Sequence, residues 1–194
     1  MRWKWVVPMS VGLASLVAVS FQADASLFEP VRDRQLVCEA PLIVHGQVTD
    51  VQAAWDEQHT AIWTTATVEV KAVHRGKLPS GTSSVVKVKE VGGTVDGYTI
   101  HAEGFPTFHQ GEEVVMLLRP WDDDPATYRV WGYARGMFKV ERNEGRGATA
   151  TRYDVVESGR PTMFTDRIPP TIVLEELTRE LAGLAASCGQ ADAQ

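Results

Sequence analysis

Cys38 and Cys188 stand near opposite ends of this chain, and no other cysteine lies between them. The stretch they enclose alternates apolar and polar residues and is punctuated by glycine and proline, the pattern of β-strands and turns. The chain opens with residues that predict export. Arg2 and Lys4 give a positive start, and Val6 to Phe21 is uncharged and mostly apolar. Ala23 and Ala25 place small residues where a signal peptidase inspects them, so cleavage is expected before Ser26. The apolar run is shorter than the roughly 20 residues a spanning helix needs, which favours a cleaved signal over a retained anchor. In an oxidising compartment the two cysteines are expected to form one bridge that ties both ends of a β domain together. The rival is a pair of separate buried thiols. Two cysteines alone fall short of the four ligands of a structural zinc site.

The formal net charge is −6, and losing residues 1–25 removes two bases and one acid, leaving the chain one unit more negative. No basic run offsets this. Such a surface repels nucleic acid and anionic membranes. Nothing after the signal is apolar enough to span a bilayer. Residues 26–190 are expected to form a single domain.

The segments follow in order. Val31 to Glu39 suits a brief helix that Pro41 ends, because the residue before proline is pushed out of helical geometry. Leu42 to Val51 reads as a strand, with Gly46 allowing a bulge or bend. Ala61 to His74 is the clearest strand, with Ile62, Thr64, Ala66, Val68 and Val70 on one face. Val85 to Val91 alternates again. Gly92-Gly93 and Asp96-Gly97 frame a tight hairpin leading into Tyr98. Val114 to Leu118 is wholly apolar, as a central strand would be. Trp121 to Pro125 reads as an acidic loop, Tyr128 to Tyr133 and Met137 to Glu141 as strands, and Thr149 to Val156 as an edge strand. Thr171 is expected to cap a final helix whose stripe is Leu174, Leu177, Leu181 and Leu184. The sum is mainly β: a short N-terminal helix, a small β-barrel and a C-terminal helix.

Motifs for chemistry are sparse. His101-Ala102-Glu103 has a zinc-deaminase spacing but lacks the cysteine pair that completes it. His101, Glu103 and His109 would hold a metal only if a hairpin brought them together. His45 lies near Cys38 in sequence, but a disulfide removes the thiolate a Cys/His enzyme needs. Asp122-Asp123-Asp124 reads as a solvated turn, since no calcium-loop pattern follows it. Neither a nucleophile elbow nor a phosphate-binding glycine loop occurs. No metal, no cofactor and no catalysis are expected.

Three phrases carry a resemblance. Leu36-Val37-Cys38-Glu39-Ala40-Pro41-Leu42-Ile43-Val44-His45-Gly46, Val70-Lys71-Ala72-Val73-His74-Arg75-Gly76 and Phe108-His109-Gln110-Gly111-Glu112-Glu113-Val114-Val115 resemble, in this order, the netrin-like module of tissue inhibitors of metalloproteinases. Ala40-Pro41-Leu42-Ile43-Val44-His45-Gly46 and Gly92-Gly93-Thr94-Val95 also resemble a type of bacterial exported protein. The first resemblance implies an OB-like barrel, and it implies that the cysteine at the first helix pairs with the one after the last. It further implies that the N-terminal segment Ser26, Leu27, Phe28, Glu29 and Pro30 is a candidate interaction site, whose free amino group would approach a protease zinc. Ser26 and Phe28 stand where that family carries cysteines, so the clamp that holds its inhibitory end rigid is missing. OB-type barrels also bind single strands through aromatics, for which Trp63, Tyr98, Phe105 and Phe108 are the candidates; the acidic balance argues against it.

The function expected from this reading is an exported binding module for a protein or cell-envelope ligand. Metalloprotease inhibition and a structural envelope role are the alternatives. Intact-mass measurement of the exported protein should give a chain beginning at Ser26; a mass that still includes residues 1–25 would refute signal cleavage.

Overall fold

The helix expected ahead of Pro41 is present as α1, Asp33–Glu39, in a computed structural model that describes residues 31–78, 84–143, 145, 147–154 and 166–189. Ala40, the residue before the proline, is extended, as steric conflict with the proline ring requires. The strands are β1 Leu42–Trp55, β2 Ile62–Arg75, β3 Val85–Val91, β4 Gly93–Val95, β5 Tyr98–Ile100, β6 Glu113–Pro120, β7 Thr127–Val130, β8 Met137–Asn143, β9 Gly147–Arg152 and β10 Thr171–Val173. A 3-10 turn, Tyr133–Gly136, precedes β8, and helix α2, Leu174–Ala186, follows β10.

Five strands close into a barrel. β1 pairs with β2, β2 with β3, β3 with β7 in parallel, β7 with β6, and β6 returns to β1. The fold is therefore mainly β, an OB-like small barrel with a short N-terminal helix and a C-terminal helix. Closure needs β1 to bend, and Gly46 is where it does. The register shifts beside it, and a Cβ there would stand 2.5 Å from the Glu69 carbonyl oxygen. β4 and β5 form a separate hairpin, with Asp96 and Gly97 both at positive φ in the turn.

Three expectations are corrected. β1 runs beyond Val51 to Trp55, because its pairing with β2 continues to Ile62. The Asp56 carboxylate then closes the turn by accepting bonds from the Thr60 N–H and hydroxyl. The strand expected through Tyr133 stops at Val130, since Gly132 and Tyr133 both adopt positive φ and turn the chain into the 3-10 segment. Thr171 does not cap the last helix: it starts β10, and β10 pairs with β9, which is therefore not an edge. Helix α2 begins at Leu174 without a side-chain cap, and Glu175 and Glu176 favour its N-terminal dipole.

The core has two parts, which explains the fully apolar β6. Val114, Met116 and Leu118 point into the barrel, while Val115 and Leu117 face the layer beneath α1 and α2. Leu177, Leu181 and Leu184 of α2 fill that second layer, each stabilising it by roughly 1.5–3 kcal/mol relative to exposure. The Cys38–Cys188 disulfide joins the ends of the two helices across 150 residues. Arg75 donates to the Cys38 carbonyl beside it, at 3.1 Å.

A buried ion pair fixes α1. Asp33 is 1 % exposed and Arg152, at the end of β9, is 3 % exposed. One Asp33 oxygen accepts from the Arg152 guanidinium, and the other accepts from the Ile168 N–H at 2.7 Å. Arg152 also donates to the carbonyls of Ile168 and Arg135 and lies over the Phe138 ring. Removing one partner strands a buried charge, which costs about 3–5 kcal/mol. Asp33→Ala should lower unfolding stability by that much in urea titrations, whereas a loss below about 1 kcal/mol would show that the pair is dispensable.

Candidate functional site

Alternation along β3 turns Val86, Val88 and Glu90 inward and Lys87 and Lys89 outward. The two valines fill the barrel. Glu90 comes where the strand ends and the interior opens into a pocket, and it is 3 % exposed. One of its oxygens accepts the Val130 N–H at 2.5 Å, its single hydrogen bond among the described residues. Burial pushes its pKa from the ordinary 4.5 up to about 7, against the opposing pull of that N–H and of the nearby Arg129 charge. The carboxyl therefore changes charge near neutral pH.

The walls are aromatic. Arg119 and Arg129 face each other across the β6–β7 ladder, a pairing that repels unless each charge is held elsewhere. Arg119 lies over the Trp131 ring at 4.6 Å, and Arg129 lies over Trp121 at 4.9 Å and Trp131 at 5.8 Å. Trp121 meets Trp63 edge to face at 5.7 Å and donates its indole N–H to the Lys89 carbonyl. Lys89 in turn covers the Trp63 ring at 4.9 Å. On the other side Phe105 packs against Tyr133 at 4.9 Å. The Ala134 N–H donates to the Gly104 carbonyl, which fixes that pair's two segments together. Helix α1 supplies the last wall through Val31, Gln35, Leu36 and Glu39. The pocket opens to solvent on one side and has a volume of about 650 Å³, within the usual range for small-ligand sites.

The residues singled out in the sequence are scattered. Ser26 to Pro30 lie outside the described residues. Cys38 and Cys188 are bonded to each other. Among the described residues no three His, Cys, Asp or Glu side chains are grouped as metal ligands, and His109 pairs with Glu112 at 3.3 Å. His45 meets Glu113 at 2.7 Å on the barrel exterior. The Arg142 guanidinium, with help from His45 and Lys71, holds the Glu113 carboxyl down to about 2. Asp124 organises its own turn by accepting from the Thr127 hydroxyl and the Ala126 N–H. Of the four candidate aromatics, Trp63 and Phe105 line the pocket, Phe108 is buried in the barrel core, and Tyr98 is exposed on the β4–β5 hairpin.

Sequence reasoning missed Glu90, Trp121, Arg129 and Trp131. One signal was available for Glu90: a carboxylate on the inward phase of an otherwise valine-lined strand. The repeated phrase Arg119-Pro120-Trp121 and Arg129-Val130-Trp131 was the signal for the walls. No protein-family model matches this chain, and no curated protein matches it.

The raised Glu90 pKa has a defined consequence for stability. The folded state binds this proton more tightly than the unfolded chain, so its contribution is complete below pH 4.5 and is lost as pH rises through about 7. The difference is about 3 kcal/mol. Glu90→Gln keeps an acceptor for Val130 and removes the titration. Urea unfolding at pH 5 and pH 8 should show the variant gaining stability relative to wild type at the higher pH, and parallel behaviour at both would refute the buried-carboxyl account.

Proposed function

We propose that this protein is an exported, non-enzymatic binding module and that the aromatic pocket beside α1 is its ligand site. One observation carries the reading: a 650 Å³ pocket walled by indoles and phenyl rings into which Glu90, 3 % exposed, sets a carboxyl. Large apolar walls with few placed polar groups suit binding. The polar side chains of the described lining are Gln35, Glu39, Glu90, Tyr133 and Asp154 with the two arginines, and no Ser/His, Cys/His or lysine arrangement is among them. The disulfide supports export, because such bonds persist in oxidising compartments. No helix among the described residues is long and apolar enough to cross a membrane. The ligand would come from the cell envelope or from a partner protein. Protease inhibition through residues 26–30 is the second reading, because Ser26 and Phe28 stand where cysteines would clamp an inhibitory end.

N-phenyl-1-naphthylamine, an uncharged apolar fluorescent probe, tests the site. Wild type should bind it saturably. Gln35→Trp places an indole at the pocket wall from an exposed position of α1 and should weaken binding roughly tenfold or more. Equal binding by both proteins would move the ligand site elsewhere.

A further inference from the structure

We propose that the natural ligand of this pocket is a cation, an amine or guanidinium carried on an apolar body, with its charge set against the Glu90 carboxyl. The inference rests on the pocket being the ligand site. Glu90 lines the pocket, is almost wholly buried, and leaves one carboxylate oxygen without a hydrogen-bond partner among the described residues. That second oxygen takes no donor from the described residues, and a cationic ligand would give it a hydrogen bond and set a charge directly beside it. The protein's own Arg129 does not fill this role. The Arg129 charge acts on Glu90 from nearby but makes no hydrogen bond to it; its guanidinium lies over Trp121 and Trp131.

The walls suit the same ligand. Aromatic faces attract cations, and Lys89, Arg119 and Arg129 already lie on indoles around this pocket. Phe105 and Tyr133 add rings on the opposite side. The charged groups lining the pocket are Glu39, Glu90 and Asp154 against Arg129 and Arg135, and Arg135 stands 3.7 Å from Asp33. An anion would oppose ionisation of Glu90 and meet apolar walls. Free amines and the lysine or arginine side chain of a partner protein share the required chemistry.

Displacement of N-phenyl-1-naphthylamine by 4-phenylbutylamine, 4-phenylbutanol and 4-phenylbutyrate tests the charge at constant shape. The amine should bind best, and roughly tenfold tighter at pH 8 than at pH 6, as Glu90 passes from mostly protonated to mostly ionised through about 7. The alcohol should show no such dependence. Glu90→Gln should weaken amine binding about tenfold or more and abolish its pH dependence while still binding the naphthyl probe. If that variant misfolds, proton release when wild type binds the amine at pH 7 decides instead. A lysine peptide, acetyl-Leu-Lys-Leu-amide, separates the sources: tighter binding than the amine assigns a protein side chain, and weaker binding assigns a small amine. The cation is ruled out if the alcohol or the carboxylate matches the amine, if none of the three displaces the probe, or if Glu90→Gln leaves amine binding unchanged. Those outcomes leave the pocket standing, whereas naphthyl binding indifferent to Gln35→Trp removes the pocket itself.

Discussion

The buried pair between Asp33 and Arg152 is the contact on which the arrangement of this molecule turns. Placing two charges in a core is costly, and the cost is offset only when every remaining lone pair and proton is engaged. Here the carboxylate takes the guanidinium and the Ile168 N–H, and the guanidinium also reaches the carbonyls of Ile168 and Arg135. Those partners belong to α1, the end of β9, the 3-10 turn before β8 and the segment leading to β10. Four pieces distant in sequence thus share one closed network, and any of them that shifts leaves a buried charge uncompensated. The disulfide acts on the other end of α1, so this short helix is held at both its first residue and its last turn.

Fixing α1 matters because the helix is a wall of the pocket. A helix this short has little stability of its own, and its position over the barrel end comes from the ion pair, the bridge and the burial of Leu36 and Val37. The barrel provides the rest. The parallel pairing of β3 with β7 brings the end of β3, with Glu90, beside Val130, the last residue of β7. The β6–β7 hairpin then sets two arginines opposite one another, and their repulsion is relieved on the faces of Trp121 and Trp131. The stacking that relieves this repulsion also builds the walls.

Glu90 carries a cost to folding that its packing does not explain. An apolar residue at this inward position would continue the valine face of β3 and would avoid the carboxyl's burial cost. The carboxyl instead weakens the fold as pH rises through about 7 and presents a polar atom on an apolar floor. Under the proposed function, that stability is traded for a group that a ligand completes. The exterior carboxylate Glu113 is the contrast. Surrounded by Arg142, His45 and Lys71, its charged form is satisfied within the protein and its pKa falls to about 2.

Local pattern was enough to read the elements whose signals lie within a few residues of one another. The alternation of Val85 to Val91, the uninterrupted apolar run of Val114 to Leu118 and the proline after Ala40 each specify backbone and burial by short-range physics, and all three appear as expected. The pairing of Cys38 with Cys188 was legible because the chain offers those two thiols and no third. Thr171 was misread because a strand three residues long is specified by its partner β9 rather than by its own composition. Nothing local marks Asp33 or Arg152 as buried, since the partner of each lies 119 residues away. The pocket was illegible for the same reason. Its carboxyl, indoles and guanidinia come from the ends of β2, β3 and β7 and the turns after β6 and β7, with α1 closing one side, and the local signals they carry do not say that they meet. Segment identity is a property of neighbours in sequence, but the environment that raises the pKa of Glu90 and sets arginine on tryptophan exists only once barrel closure has excluded water and brought those segments together.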